Sequence, residues 1–320
     1  MNCPIDEKIY QELRKVLNET EIFCCEKEYL KLYNLGYALL ERVEKGAAYV
    51  NEHIEPPSTD EEFFLIMMYG AMLVDAAGLL LKELKIKSPY QKGEQISYCY
   101  FADVCENQNL QFNDGTIPTD KEVWEYIRAL SFAHPFETSR PQFLEKGEIQ
   151  YSPAIIANIK PEFLPVDAEP TIGILVYSTA FPEIKVLNIP YMRILGYISS
   201  RYQLLALGTE RIKQIIAEKK QEWVKQKVEI GANAIDTLKS AISIMENRHE
   251  ETTLGDLVLL LEVQSTFEEN RLQIRAYQSK IESTIPQIVT FVELLDTDGL
   301  NNYLEQILQI TKPKYGGADY

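Results

Sequence analysis

A cluster of six prolines constrains the fold of this chain more than any other sequence feature. They lie within about forty residues, at positions 153, 161, 165, 170, 182 and 190. Because proline lacks a backbone N–H and clashes with the preceding helical turn, no long helix fits this segment. Two runs inside it, TIGILVYS and EIKVLNI, are rich in β-branched residues, which favour strands. The middle of the chain therefore predicts a small sheet or a hairpin.

Helical periodicity surrounds the proline cluster on both sides. Upstream, apolar residues recur at helical spacing over 4–18, 21–50 and 60–85, and the third run follows a Thr59/Glu62 capping box. Downstream, similar runs predict a helix from 191 to 207 or further, helices through 244, and helices over 254–281 and 285–310. The aromatic run ISYCYFADV, residues 96–104, predicts a strand or a buried extended segment.

These patterns predict a mainly α protein with a minor β segment. We expect a helical N-terminal domain at 1–144, a β-containing connector at 145–190 and a helical C-terminal domain at 191–320. One continuous structure with a β insertion is the alternative. Residues 63–81 form the most apolar window, but Asp75 lies near its middle, so a buried helix explains it better than a membrane span. We expect a cytoplasmic protein that does not associate with membranes.

The cysteines and histidines give no sign of a metal site. Five cysteines lie at positions 3, 24, 25, 99 and 105, without a C-x-x-C pair, and none of the three histidines is near them in sequence. We expect reduced thiols, no metal and no cofactor. Phosphate-binding glycine loops, G-x-S-x-G and H-E-x-x-H are also absent from the sequence, which counts against nucleotide hydrolases, serine hydrolases and zinc proteases.

The net charge of −16 is expected to repel polyanions unless a local basic surface overrides it. One basic run, ERIKQIIAEKKQEWVKQK, contains Lys219, Lys220 and Lys225, which are weak candidates for RNA binding. A solvated helix face with ion pairs at four-residue spacing is the alternative interpretation of this run.

The stretch YIRALSFAHPFETSR carries the chemistry that the sequence offers. A capping box at Thr119 and Glu122 predicts a helix that contains Arg128. On a regular helix Arg128 and His134 would lie about 120° apart, but Pro135 disfavours helical dihedrals at His134 and places it at a helix end. An imidazole transfers protons near neutral pH, and a guanidinium binds phosphate in a bidentate way. These are the two requirements of RNA cleavage by attack of the 2′-hydroxyl on the neighbouring phosphate.

A structural interpretation of the same residues stays open. His134 could cap the helix C-terminus, and Arg128 could pair with Asp120, Glu125 or another carboxylate of this acidic chain. Asp75 needs a partner if it is buried, and it could orient Arg128 or stabilise the helical bundle.

The segment Arg128-Ala-Leu-Ser-Phe-Ala-His134 resembles the R-x4-6-H motif of HEPN-domain ribonucleases, which occur in toxins and in antiphage abortive-infection systems. The resemblance implies an HEPN-like helical bundle over 1–144 and a metal-independent endoribonuclease activity. It implies in addition a homodimer that pairs through the motif helices, so that Arg128 and His134 from two protomers line one cleft, or a larger defence complex. It also implies that Arg128 binds the scissile phosphate and that His134 acts as general base or acid. Further hydrogen bonds or phosphate contacts are expected from Ser131, Glu137, Thr138 and Arg140.

Two other functions compete with this one. The first is a non-catalytic, acidic helical scaffold that works through its surface and its long C-terminal helices. The second is an acidic antitoxin or nucleic-acid mimic.

Overall fold

The computed structural model describes residues 5–112, 114–134, 136–138, 144, 147–153, 155–156 and 169–311, with side chains as far as residue 308. The protein is mainly helical with a small antiparallel sheet, as predicted. A 3₁₀ turn spans Gln95–Tyr98 and a π-helical turn spans Ala129–Ala133. The helices and strands are α1 (Glu7–Leu17), α2 (Ile22–Cys25), α3 (Leu30–Glu52), α4 (Asp60–Glu83), α5 (Ala102–Gln108), α6 (Asp120–Arg128), β1 (Gln150–Tyr151), β2 (Ile155–Ile156), β3 (Thr171–Ser178), β4 (Lys185–Pro190), α7 (Tyr191–Tyr202), α8 (Leu205–Val224), α9 (Ala234–Asn247), α10 (Leu254–Glu262), α11 (Glu268–Leu294) and α12 (Thr297–Thr311).

The chain forms two compact units whose boundaries differ from the three predicted segments. Unit 1 takes in the described residues of 1–18 and 31–212, and unit 2 those of 19–30 and 213–320. The β segment and helix α7 belong with the N-terminal helices, because the strands and α7 pack against them. The short segment 19–30 is far from the C-terminal helices in sequence, so no local pattern could assign it to unit 2.

Helix α4 forms the centre of unit 1. It begins at Thr59, whose hydroxyl accepts a hydrogen bond from the Glu62 N–H at 3.2 Å, as the capping pattern predicted. Its buried face packs against α7 at Gly70, where an added Cβ atom would lie 2.4 Å from Cδ1 of Ile198. A glycine at this point lets the two helices approach closely.

Helix α4 is also long and apolar enough to span a membrane, judged by length and composition alone. The structure buries half of its most apolar window, including Phe63, Met67 and Leu80. Asp75 lies on the opposite face, with 54% of its side chain exposed. Asp75 is therefore not a buried acid, because the apolar stripe of α4 faces away from it, and it lies beside Arg128, one of the two places that the sequence suggested.

The sheet of unit 1 has β3 as its central strand. Strands β1 and β2 pair in succession along one edge of β3, with Tyr151 opposite Tyr177 and Ile155 opposite Ile174. Strand β4 pairs along the other edge in antiparallel register, from Thr171 opposite Pro190 to Val176 opposite Lys185. Both runs predicted as strands from the proline-rich segment form β3 and β4.

The aromatic run at 96–104 is not a strand, so that prediction was wrong. The chain forms a 3₁₀ turn and then enters α5. The cause is tertiary: the buried carboxylate of Asp120 accepts hydrogen bonds from the backbone N–H groups of Cys99, Tyr100 and Phe101, at 2.9, 3.0 and 2.9 Å. These amides cannot also join a sheet.

Three predicted helix boundaries are also corrected. The run at 21–50 forms two helices, α2 and α3, separated by a turn at 26–29. Helix α10 ends at Glu262 and a new helix begins at Glu268, whereas a single helix over 254–281 was expected. Helix α11 then continues through Pro286, because the carbonyl that proline leaves without a donor belongs to Glu282, an exposed residue that water reaches.

Unit 2 is helical throughout its described part and has its own core. Leu238, Met245, Leu257, Ile281 and Ile288 from helices α9, α10 and α11 are buried together. Arg248, at the end of α9, is 1% exposed and donates hydrogen bonds to the carbonyl oxygens of Val292 and Trp223 and to the side-chain oxygen of Gln226. Burial lowers the pKa of Arg248, and these acceptors hold its guanidinium in place.

Candidate active site

Helix α6 carries Arg128 at its last turn. The predicted capping box is present: Thr119 Oγ1 accepts a hydrogen bond from the Glu122 N–H at 3.3 Å, and the Glu122 carboxylate accepts one from the Thr119 N–H at 2.8 Å. Val123, Trp124 and Ile127 are buried in unit 1. This packing fixes the rotation of α6, so that Arg128 is only partly covered, with 24% of its side chain exposed.

A π-helical turn separates Arg128 from His134. It spans Ala129–Ala133, and the N–H of His134 donates to the carbonyl oxygen of Ala129 at 2.9 Å, five residues back. Turns of this type are rare and occur frequently at functional sites. The turn ends at His134, whose backbone leaves the helical region at φ −146° and ψ 52°. The helix end that the sequence predicted at His134 is therefore present, and the widened turn begins before Pro135, which lies outside the described residues.

A cavity of about 610 Å³ opens beside this turn. Its volume lies within the range of about 300–1,000 Å³ that is usual for small-molecule sites. Arg128 and His134 both line it, so the two residues share one cavity of a single chain. Its other lining residues come from the segment between α4 and α5, from α6 with its N-cap, from the π-helical turn and from α7: Tyr90, Lys92, Ser97, Thr119, Lys121, Glu122, Glu125, Tyr126, Ala129, Ala133 and Arg201.

Arg128 has one weak ion-pair partner and one unsatisfied donor. Its Nη1 lies 3.5 Å from Oδ1 of Asp75, beyond the usual range of a strong hydrogen bond. Its Nε is buried and has no hydrogen-bond partner among the described residues. Its guanidinium carbon lies 5.9 Å from the centre of the Phe132 ring. The described residues thus satisfy little of the hydrogen bonding of this guanidinium, and a ligand has access only to the exposed part of the side chain.

Arg201, from α7, contributes a second guanidinium that is held rigidly. Its guanidinium carbon lies 3.4 Å from the centre of the Tyr90 ring and 4.5 Å from that of Tyr197. Its Nη1 donates to Ser200 Oγ at 2.9 Å, and its Nη2 lies 3.9 Å from the carboxylate of Asp120. Burial raises the pKa of Asp120, and the three amide donors and Arg201 oppose that rise.

The side chains that line the cavity include more cations than carboxylates, in a chain that is acidic overall. Four cations line it (Lys92, Lys121, Arg128 and Arg201), against two carboxylates, those of Glu122 and Glu125. Asp75 and Asp120, which are not among the lining residues, lie near Arg128 and Arg201 and offset part of this charge. The whole chain has a net charge of −16. The Glu122 carboxylate already accepts a hydrogen bond from Thr119 Oγ1, and it lies 3.7 Å from Lys92 Nζ. Such a concentration of cations favours an anionic ligand.

The other predicted site residues lie in different surroundings. Ser131 is 2% exposed, and its hydroxyl donates to the carbonyl oxygen of Ile127 at 2.7 Å, so it stabilises the helix end. Thr138 is buried and bridges to Gln150 through the backbone, and Glu137 is exposed. Arg140 lies outside the described residues.

The lysines of the basic run belong to unit 2 and are largely ion-paired. Lys219 lies 3.0 Å from Glu26 and 3.7 Å from Glu222, and Lys220 lies 3.3 Å from Glu19. Lys225 is exposed. This arrangement matches a solvated, ion-paired helix face more closely than a basic patch.

Sequence analysis missed several residues of the cavity. Tyr90 and Lys92 lie in a loop without a motif, and Lys121 looked like an ordinary first-turn residue of α6. Arg201 did leave a signal, since it is a charged residue within the apolar pattern of YMRILGYISSRY. A buried arginine in such a helix needs acceptors, and this need pointed to a polar network.

Comparison with known proteins adds no relative: no protein-family model, curated protein or solved structure matches this chain. The likeness to HEPN-domain ribonucleases thus rests on the Arg128–His134 motif.

Proposed function

We propose that this protein is a metal-independent endoribonuclease and that the cavity beside the π-helical turn is its active site. The observation that carries the proposal is that Arg128 and His134 line one cavity whose lining has more cations than carboxylates, in a strongly acidic chain. The cavity supplies a proton acceptor together with cations that stabilise a phosphorane-like transition state, and these are the groups that transesterification of RNA needs.

In the proposed reaction, the 2′-hydroxyl oxygen attacks the adjacent phosphorus, and its proton passes to the imidazole of His134. The bond from phosphorus to the 5′-oxygen breaks, and that oxygen receives a proton from the imidazolium. The products are a 2′,3′-cyclic phosphate and a 5′-hydroxyl end. Arg128 binds the non-bridging oxygens, where negative charge increases in the transition state.

The remaining cations bind the substrate on either side of the scissile phosphate. Lys92 and Lys121 lie at the cavity as flexible cations suited to neighbouring phosphates. Arg201 is fixed between Tyr90 and Tyr197. It therefore contributes a constant positive potential, and it does not move to contact the substrate as a flexible lysine does. We assign RNA binding to this cavity rather than to Lys219, Lys220 and Lys225, because Lys219 and Lys220 are paired with carboxylates.

The cellular setting belongs to the same proposal. We infer a cytoplasmic toxin or antiviral defence effector that acts as a homodimer or within a larger complex, on the basis of the motif resemblance. Cys24, Cys25, Cys99 and Cys105 are free thiols, which fits a reducing compartment.

The test is RNA cleavage by the purified full-length chain in the presence of EDTA. We expect cleavage products that end in 2′,3′-cyclic phosphate, and no cleavage of a substrate with a single 2′-deoxy sugar at the scissile position. Arg128→Ala and His134→Ala should each reduce the rate by about a hundredfold or more, the usual contribution of a general base or an oxyanion donor.

Two matched variants control for loss of an arginine or a histidine elsewhere. Arg193→Ala removes a partly exposed arginine that pairs with Asp103, away from the cavity lining. His249→Asn replaces a histidine of unit 2 that has φ 60°, a conformation that asparagine accepts. Both should retain the wild-type rate. Cleavage that survives in His134→Ala or Arg128→Ala would refute the proposal and point to contamination or another site. A wild-type chain that cleaves no RNA would favour the non-catalytic scaffold.

A further inference from the structure

Three potential metal ligands converge at the surface of unit 2. Glu21, Cys24 and Cys25 each place a ligand atom within 4.8 Å of the other two. The two sulfur atoms are 3.6 Å apart, and the sulfur of Cys24 lies 2.7 Å from Oε2 of Glu21. All three side chains are at least partly exposed, so a cation can reach them from solvent.

The short helix α2 orients this cluster. Its N–H at Ile22 donates to Thr20 Oγ1 at 3.0 Å, and Ile22 and Phe23 are both fully buried. These two anchors turn the following residues, Cys24 and Cys25, toward the surface. The sulfur of Cys24 also donates to the carbonyl oxygen of Glu21 at 3.2 Å, which holds the turn closed.

The separation of the two sulfur atoms fits a tetrahedral thiophilic ion. With zinc–sulfur bonds of about 2.3 Å, two thiolates on one tetrahedral zinc are separated by about 3.8 Å. The observed separation of the sulfur atoms is 3.6 Å, so the two thiols are already close to the distance that a shared ion requires. Zinc also accepts carboxylate oxygen, so the Glu21 side chain can supply the third ligand.

We propose that Glu21, Cys24 and Cys25 form a surface site for a thiophilic divalent cation of the zinc type, with water as the fourth ligand. Hard cations such as Mg²⁺ and Ca²⁺ prefer oxygen ligands and should not compete for two thiolates. The acidic character of the chain favours cation binding in general. This site is independent of the proposed ribonuclease activity.

Proton release should accompany binding. A divalent cation binds the thiolate form of cysteine, so it must displace the thiol protons of Cys24 and Cys25. Affinity should therefore rise with pH, because protons compete with the cation for the two sulfur atoms.

The sequence pattern did not indicate this site because the two cysteines are adjacent. Paired zinc ligands are usually sought at a spacing of two to four residues, and the sequence has no C-x-x-C pair. Adjacent residues on a regular helix point about 100° apart. Here the helix ends at Cys25, and both sulfur atoms lie on the same side of the turn.

The test is titration of the full-length chain, kept reduced by a phosphine, with Cd²⁺ as a spectroscopic probe and then with Zn²⁺. We expect one Cd²⁺ per chain, with the ultraviolet charge-transfer band of two thiolates and release of protons. Zn²⁺ should displace the Cd²⁺, and excess Mg²⁺ should not.

Matched variants separate this site from the other thiols. Cys24→Ser and Cys25→Ser should each abolish the two-thiolate band, and Glu21→Gln should weaken binding by at least about tenfold, the loss that even outer-shell changes can cause. Cys99→Ser removes another exposed thiol and should leave the titration unchanged. A full band in Cys24→Ser, or a wild-type chain that binds no Cd²⁺, would overturn the proposal. The serine and glutamine changes lie at the surface, and circular dichroism verifies that each variant is folded.

Discussion

The guanidinium of Arg201 is stacked 3.4 Å above the ring centre of Tyr90, and both residues line the same cavity as Arg128 and His134. The stacked pair restrains one cation of the cavity, whereas Arg128 keeps a buried Nε without a partner in the described part of the chain. Arg201 is therefore a fixed cation, and Arg128, on the same cavity, lacks a hydrogen-bond acceptor for this Nε among the described residues. Together they provide a positive site in which a ligand can accept hydrogen bonds from Arg128.

Asp75 competes with a ligand for Arg128. Because the pair is loose and Asp75 is 54% exposed, the variant Asp75→Asn should change stability little. It should bind a short, non-cleavable 2′-deoxy oligonucleotide up to about fivefold more tightly, the equivalent of one exposed ion pair. Fluorescence anisotropy measures this. Glu61→Gln removes a carboxylate elsewhere on α4 and controls for net charge. Equal gains in affinity in both variants would contradict a specific role for Asp75.

Asp120 stabilises unit 1 rather than binding a ligand. Its carboxylate accepts three backbone hydrogen bonds and lies near the buried Arg201. Asp120→Asn replaces one acceptor oxygen with a donor and leaves Arg201 without a counter-charge, so we expect a loss of about 3 kcal/mol in the free energy of unfolding. Urea denaturation provides the measurement. Asp103→Asn, which breaks an exposed pair with Arg193, should cost under about 1 kcal/mol.

Gly70 and Gly78 on α4 should respond in opposite ways to alanine. At Gly70 a Cβ atom would lie 2.4 Å from Ile198, so Gly70→Ala should destabilise the protein by about 1–3 kcal/mol through overpacking. At Gly78 no heavy atom lies within 4 Å of the added Cβ, and alanine should stabilise the helix by up to about 1 kcal/mol. Thermal unfolding of the two variants compares them directly, and equal shifts would contradict the packing of α4 against α7.

Mixing two inactive variants tests whether one chain supplies both groups of the active site. Arg128 and His134 of a single chain line one cavity, so a mixture of Arg128→Ala and His134→Ala should remain inactive. If partners instead exchanged these groups across a dimer, half of the sites in a mixed dimer would be intact. The readout is the cleavage rate after co-refolding, and recovered activity would show that the partner contributes to the site.

Cys105 should be the least reactive thiol of unit 1. Burial raises the pKa of Cys105 to about 12, so its reactive thiolate is scarce at pH 8 and becomes abundant only as the pH approaches that value. Iodoacetamide at pH 8 should modify the exposed Cys99 in the native protein and reach Cys105 only after denaturation. Mass spectrometry of tryptic peptides resolves the two. Equal native rates would mean that α5 opens readily.

Local signals predicted the parts of the fold that depend on neighbouring residues. The capping boxes at Thr59 and Thr119 depend on side chains three residues apart, and both helix starts were correct. Strands β3 and β4 were correct because prolines excluded helices and β-branched residues favoured strands.

Errors arose where a distant group decided the local conformation. The run at 96–104 has strand-forming residues, yet the carboxylate of Asp120, about twenty residues further on, accepts hydrogen bonds from its backbone N–H groups. The cavity could be predicted only in part for the same reason. Arg128 and His134 share a recognisable spacing, whereas Lys92 and Arg201 reach the cavity through tertiary packing.

The π-helical turn at Ala129–Ala133 behaves as a one-residue insertion in an otherwise ordinary helix. The wider turn absorbs the extra residue, so removing one of its alanines would restore the regular winding and leave the later residues near their present orientation. Arg128 and His134 would then be separated by four residues instead of five, with both still at the cavity. The wide turn therefore allows the separation of these two residues in sequence to change by one while their placement in space is kept.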